Sequence, residues 1–238
     1  MKKNIPNFIT IINLILGLFA ISLLFQGQYT DLIIFILYFC LFLDFMDGFL
    51  ARKLNSTSAF GKQLDSLSDL ISFGILPTLI IFLWLDANAS IPKIKYISFL
   101  IMICSTIRLA KFNINDSNQL SFNGLPTPAN AFFFISLIYY SSCYNLPFSL
   151  LGYCSFLSEA LTDKILIFLI FLFSFLMISD IQFSSLKFKN YSFKDNLEAY
   201  FLIFVTLFIF FFFGYELIFL IIVPYVLVSI FRSLIRLK

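Results

Sequence analysis

The chain has 238 residues, of which 61% are hydrophobic and 12% charged. Soluble domains carry about 25% charged residues, and 35 Phe exceed what one soluble core of this length can enclose, so lipid is the expected solvent. The formal charge of +3 is small and points to no nucleic-acid partner, while the absence of histidine excludes a Ser-His-Asp triad, His-ligated zinc and a phosphohistidine intermediate.

A spanning helix needs about 20 mostly apolar residues. Eight segments qualify, at approximately 7–26, 31–51, 66–85, 94–112, 126–144, 161–179, 197–213 and 216–235. The predicted fold is therefore an all-α, polytopic transmembrane helix bundle. The apolar run after Met1-Lys2-Lys3 reads as the first span, since no small-residue cleavage site follows it. The last two spans must meet in a tight hairpin near Gly214. With the N-terminus inside, thirteen Lys and Arg fall on the cytoplasmic side and three, Lys93, Lys95 and Lys164, outside. This bias places both termini in the cytoplasm. Cys40, Cys104, Cys143 and Cys154 show no metal-ligand spacing and read as small membrane-core residues; a Cys143–Cys154 disulfide is the alternative for that pair.

The first span opens with Asn7, Thr10 and Asn13 on one face. These are either a polar stripe between helices or hydrogen-bonding groups for a diphosphate or ribose. The second span ends with Asp44 and Asp47, and the third begins with Asp65 and Asp69. Spacings of three and four residues put each pair on one helical face. A charged Asp deep in a bilayer costs about 3 kcal/mol on insertion scales, and like-charge repulsion adds to it. Bound divalent cations remove both costs. Oxygen-only ligands suit Mg²⁺ or Mn²⁺.

Between the pairs lie Gly48, Ala51, Arg52 and Gly61. Gly48 and Ala51 strip bulk from the face beside Asp47, Arg52 can meet phosphate oxygens, and Gly61 is expected in the turn between the two helices. The arrangement describes a site for a metal-bound diphosphate. A cation channel is the rival for such acids, but it predicts acids spread across membrane depth, and these cluster at one interface.

The pattern D-x2-D-G-x2-A-R-x8-G-x3-D-x3-D, from Asp44 to Asp69, resembles the signature of the CDP-alcohol phosphotransferase family. The resemblance implies two divalent ions held by Asp44, Asp47, Asp65 and Asp69. It makes Asp69 the base that activates an acceptor hydroxyl, places Gly48 and Ala51 on the cytidine side and sets Arg52 near the nucleotide. The expected CDP-lipid site is Asn7, Thr10, Asn13, Gly48, Ala51, Arg52 and Gly61. Phosphoryl-type transfer needs charge neutralisation and an in-line nucleophile, which such a site supplies.

For the acceptor, Arg108, Lys111 and Asn113 end the fourth span and could hold a carboxylate or phosphate, or anchor the helix by snorkelling. Pro126 and Pro128 then open the fifth span, whose N-terminus favours anions. The runs RLAKFN and GLPTPAN resemble the phosphatidylserine synthase branch of the family. That implies CDP-diacylglycerol and L-serine as substrates, with Arg108 facing the serine carboxylate; glycerol 3-phosphate, inositol phosphate or choline are the alternative acceptors. A phospholipase-D-like route through histidine is excluded. Residues 1–190 are the expected catalytic membrane domain, a six-helix core, and 191–238 add two helices to the same bundle. The resemblance further implies a homodimer, and the expected location is a bacterial inner membrane with the active site facing the cytoplasm.

Overall fold

The computed structural model describes residues 4–27, 31–91, 93–114, 122–141, 161–183, 197–213 and 218–236. Among these residues the chain forms eight helical rods. They are α1 (Ile5–Phe25), α2 (Asp31–Lys53), α3 (Ala59–Asn88), α4 (Ile94–Ile114), α5 (Thr127–Ser141), α6 (Asp163–Ile178), α7 (Leu197–Phe213) and α8 (Ile222–Arg236). The expected bundle is thus observed. Four rods, Ile5–Phe25, Leu32–Lys53, Ala59–Asn88 and Ile94–Ile114, are long and apolar enough to cross a membrane.

The outward faces carry large apolar side chains. Phe8, Phe35, Phe45, Phe168, Phe175, Phe204 and Phe231 are all more than 60% exposed. In water such a girdle would drive association. In lipid it is the ordinary outer surface of a spanning bundle. The chain is an integral membrane protein.

α1 and α2 pack along their length against each other. On α2, the small buried Cys40 brings its Sγ to 3.7 Å from the Asn13 carbonyl of α1, and Gly17 and Ala20 keep the buried side of α1 low, which suits close backbone approach in lipid. Gly17 also admits α3: a Cβ there would collide with Ser72. Ser72 Oγ in turn lies 3.0 Å from Asn13 Oδ1 and 3.3 Å from Asn13 O. Asn13 therefore latches α1 to α3, as the interhelical-stripe alternative anticipated.

α3 starts seven residues earlier than the predicted third span at 66–85. Ser58 caps it, accepting the Gly61 N–H at 3.0 Å. Asn55, at φ 46°, makes the reversal after α2. Gly61 is consequently in the first helical turn, which corrects its expected place in the connecting turn. Its lack of a side chain still matters, because a Cβ would lie 2.9 Å from Asn7 Oδ1. Midway along, residues Leu70–Ile75 form a π-helical turn directly after Asp69. Pro77 lacks the N–H that an α-helix would direct to Phe73 and crowds that carbonyl. A widened turn before it takes up the misfit.

α5 is the central rod. Ala131, Phe133, Phe134, Ile135, Leu137 and Ile138 are all buried. Phe133 stacks on Phe173 of α6 at 4.2 Å and meets Phe219, just before α8, at 5.8 Å. Each such pair adds about 0.5–1.5 kcal/mol beyond burial. α8 is thereby packed onto the same core.

A short antiparallel ladder ties the entry of α5 to the exit of α6, with Phe122 opposite Phe183 and Asn123 opposite Gln182. Gly124 follows at φ 77° and donates its N–H to Ile181 O at 2.9 Å. A Cβ at Gly124 would collide with the Met177 carbonyl oxygen, and the left-handed backbone alone costs a non-glycine residue about 1–2 kcal/mol. Gly124→Ala is therefore expected to lower the thermal midpoint by several degrees in detergent, and an unchanged midpoint would contradict this turn. Cys40 and Cys104 are free and buried; the Cys143–Cys154 pair, the Gly214 hairpin and the basic residues between 187 and 194 lie outside the described residues.

Candidate active site

Asp44 and Asp47 lie on the last two turns but one of α2, and Asp65 and Asp69 on the second and third turns of α3. The short connection at 54–58 brings these helix ends together. Carboxylate oxygens of Asp44, Asp47 and Asp65 lie within 4.8 Å of one another. Thr10 Oγ1 donates to Asp47 Oδ2 at 2.7 Å, so α1 orients the most buried member, which is 4% exposed. Asp69 stands behind this trio, buried, and its Oδ1 has no hydrogen-bond partner among the described residues.

None of the four acids is ion-paired to a Lys or Arg among the described residues. At such separations two ionised carboxylates repel by about 3–4 kcal/mol even at an effective dielectric constant of 20. Three converging acids without cationic partners are a donor set for a hard divalent cation. The trio can hold a metal ion.

A cleft of about 490 Å³ opens beside them, within the range of small-molecule sites. Asn7, Thr10, Gly48, Ala51, Arg52 and Gly61 all line it, with Asp47 and Asp65 at its inner wall. Six of the seven residues expected on the CDP-lipid side thus share one cavity; Asn13 does not, because its amide is engaged with Ser72. Lys62 and Phe112 also line the cleft. The sequence marked Lys62 only as a cytoplasmic charge. Its Nζ lies 3.0 Å from Asn113 O and 5.3 Å from the centre of the Phe112 ring, a position that depends on α3 meeting the end of α4.

The three residues proposed for the acceptor part company. Arg108 is buried, 9% exposed, and lies in electrostatic range of Asp69 and Asp44. Its Nη1 donates to Thr127 Oγ1 at 2.8 Å, while Nε has no partner among the described residues. Lys111 is exposed and does not line the cleft. The Asn113 side chain is held by α3, donating to Gln63 Oε1 at 3.1 Å and accepting from Ser66 Oγ at 3.0 Å. Among these three, only Arg108 is carried to the aspartates.

From the other end of the chain, Tyr225 on α8 comes within electrostatic range of Arg108 and packs on Phe183, ring centres 5.6 Å apart. No sequence motif marks Tyr225. Tyr225, Ser229 and Arg232 recur at helical spacing along α8, a polar stripe that could have marked which face of this helix turns inward.

A family model described as CDP-alcohol phosphatidyltransferase matches residues 3–169, which takes in all four aspartates, the cleft and Arg108. The chain belongs to the CDP-alcohol phosphatidyltransferase family. Among similar proteins is the CDP-diacylglycerol--serine O-phosphatidyltransferase of Bacillus subtilis (strain 168), 37% identical over 165 residues, or 68% of this chain and 88% of that one. The protein of the same name from Methanocaldococcus jannaschii is 34% identical over 166 residues, covering 70% and 68%. The archaetidylserine synthase of Methanothermobacter thermautotrophicus is 34% identical over 133 residues, covering 53% and 54%. As a CDP-alcohol phosphatidyltransferase, the protein is a membrane-embedded transferase of phospholipid biosynthesis. Its family domain ends within α6, so α7 and α8 lie beyond the matched segment.

Proposed function

We propose that the protein transfers a phosphatidyl group from CDP-diacylglycerol to L-serine, giving phosphatidylserine and CMP. The observation that carries this is the division of the site: two members of the metal-competent acid trio, Asp47 and Asp65, line an open cleft, while Asp69 and Arg108 are buried and do not line it. The first side suits a nucleotide diphosphate, with Asn7, Thr10, Gly48, Ala51, Arg52 and Gly61 around it. The second suits a small acceptor carrying a carboxylate, which Arg108 would pair. The names of the relatives agree with serine as that acceptor.

Asp44, Asp47 and Asp65 would hold divalent metal, with Asp69 beside them. When bound, Mg²⁺ or Mn²⁺, in this proposal as two ions, supplies charge neutralisation for the diphosphate oxygens and for departing CMP. The serine hydroxyl oxygen attacks the phosphorus bearing the diacylglycerol. The bond from that phosphorus to the CMP oxygen breaks, and CMP leaves with the electron pair. Asp69 takes the hydroxyl proton. Thr10 keeps Asp47 oriented, and Thr127 fixes the Arg108 fork.

Residues 1–190 form the catalytic unit in this proposal, with 191–238 as further helices of the same bundle. The cleft faces the cytoplasm of a bacterial cell from its inner membrane, supported by Arg52, Lys53, Lys62 and Lys111 at the cleft end and Lys93, Lys95 and Lys164 at the opposite end. A homodimer belongs to the same proposal and rests on the family resemblance.

The acceptor is tested with purified protein, CDP-diacylglycerol and one alcohol at a time, following CMP release. Serine is expected to support turnover at least 100-fold above glycerol 3-phosphate, inositol phosphate and choline. Faster release with any of those three would reassign the acceptor while leaving the chemistry intact.

A further inference from the structure

Three buried polar groups on α3, α4 and α5 lack hydrogen-bond partners among the described residues: Asp69 Oδ1, Arg108 Nε and both side-chain atoms of Asn130. The first two already have roles in the reaction proposed above. Asn130 does not. It is fully buried, 0% exposed, in the first turns of α5. Buried amides in membrane interiors ordinarily find partners, so an amide with neither atom paired requires an explanation.

Its position supplies one. Asn130 follows Thr127 by three residues, so the two share a face of α5 one turn apart. Thr127 is the residue that holds Arg108, at 2.8 Å. α5 also packs on the π-helical turn that begins directly after Asp69. Asn130 is therefore on the side of α5 turned toward the Arg108 and Asp69 region, one turn further into the bundle.

We propose that Asn130 is a specificity-determining residue for the acceptor, its carboxamide recognising the ammonium and carboxylate of a free α-amino acid. The inference rests on the acceptor assignment above and deepens it. A carboxamide offers an acceptor oxygen and two N–H donors in one plane. A zwitterionic amino acid presents the complement, an ammonium that donates and a carboxylate that accepts. A phosphorylated polyol presents no ammonium donor, and choline's quaternary nitrogen has no N–H. A site built to hydrogen-bond a substrate group rejects analogues lacking it, because its own buried polar atoms then stay unpaired. Arg108 alone would attract any anion; Asn130 adds the requirement for an amino group.

The test is Asn130→Leu, with Asn130→Ala as a second variant. KM for L-serine is expected to rise at least 10-fold, while KM for CDP-diacylglycerol stays within 2-fold. The thermal midpoint of Asn130→Leu is expected to hold or rise, since an apolar side chain of similar size removes an unpaired amide. A residue with a merely structural hydrogen bond would do the reverse, lowering the midpoint and moving both KM values together, and that result overturns the inference. If Asn130→Leu does not fold, thermal stabilisation by added L-serine is compared between wild type and Asn130→Ala. Loss of the serine-dependent shift supports the proposal, and an undiminished shift overturns it. Wild-type turnover with serine and an unchanged serine KM in the variants sinks this inference alone. Wild-type protein that ignores serine sinks the acceptor assignment as well.

Discussion

Asp69→Asn is expected to lower turnover by about 10²–10⁴-fold, the range of a lost general base, with CDP-diacylglycerol binding kept within a few-fold. The substitution preserves shape and burial but removes the lone pair that takes the proton. Asp69 is the acid outside the close trio, and its Oδ1 is unpartnered among the described residues. It can thus be neutralised without dismantling the group formed by Asp44, Asp47 and Asp65. Single-turnover CMP release, measured beside lipid titration, separates the two effects. Turnover near the wild-type rate would remove Asp69 as the base. Loss of lipid binding in step with turnover would make it a ligand instead.

Asp47→Ala is expected to have the other large effect, by a different route. It removes one carboxylate from the trio and leaves Thr10 Oγ1 without its 2.7 Å partner. Metal affinity should fall by more than 100-fold, so that activity at a fixed low Mg²⁺ or Mn²⁺ concentration all but disappears. Thr10→Val leaves the carboxylate and removes its orienting bond, together with the hydroxyl's 3.0 Å contact to Pro6 O within α1. Loss of such an outer partner typically costs 10–100-fold in metal affinity, so this variant should fall between wild type and Asp47→Ala. Metal titrations of turnover, after chelation of the purified protein, rank the three. If all three reach half activity at the same metal concentration, the trio does not hold the cation.

Much of the site could be read from residue order because its acids come in pairs within single helices. Spacings of three and four residues force Asp44 beside Asp47, and Asp65 beside Asp69, whatever the rest of the bundle does. The short chain between the pairs then leaves little choice but convergence. Asn7 and Thr10 were assigned to the cleft on the same ground, being one turn apart on α1. Asn13 shares their face, yet it lies one turn deeper, where Ser72 rather than the cleft is opposite. Gly61 was placed in the connecting turn, where its backbone freedom would help the second acid pair swing toward the first; Ser58 starts the helix before it. At the end of α4, hydropathy could not distinguish Arg108, drawn inward to Thr127, from Lys111, which faces outward.

From its order alone, the polypeptide determined a lipid-solvated helical bundle, the metal-competent acids and the chemistry they allow. These follow from composition and from periodicity within one helix, which are local properties. Only the tertiary structure decided that Asp69 stands apart from the trio, that Asn113 is tied to α3, and that Thr127 and Tyr225 approach Arg108 from α5 and α8. Those outcomes depend on how far each rod is rotated and shifted against its neighbours. That rotation is set by the sum of many packing contacts, such as Gly17 against Ser72 and Phe133 against Phe173, and no short stretch of sequence contains it.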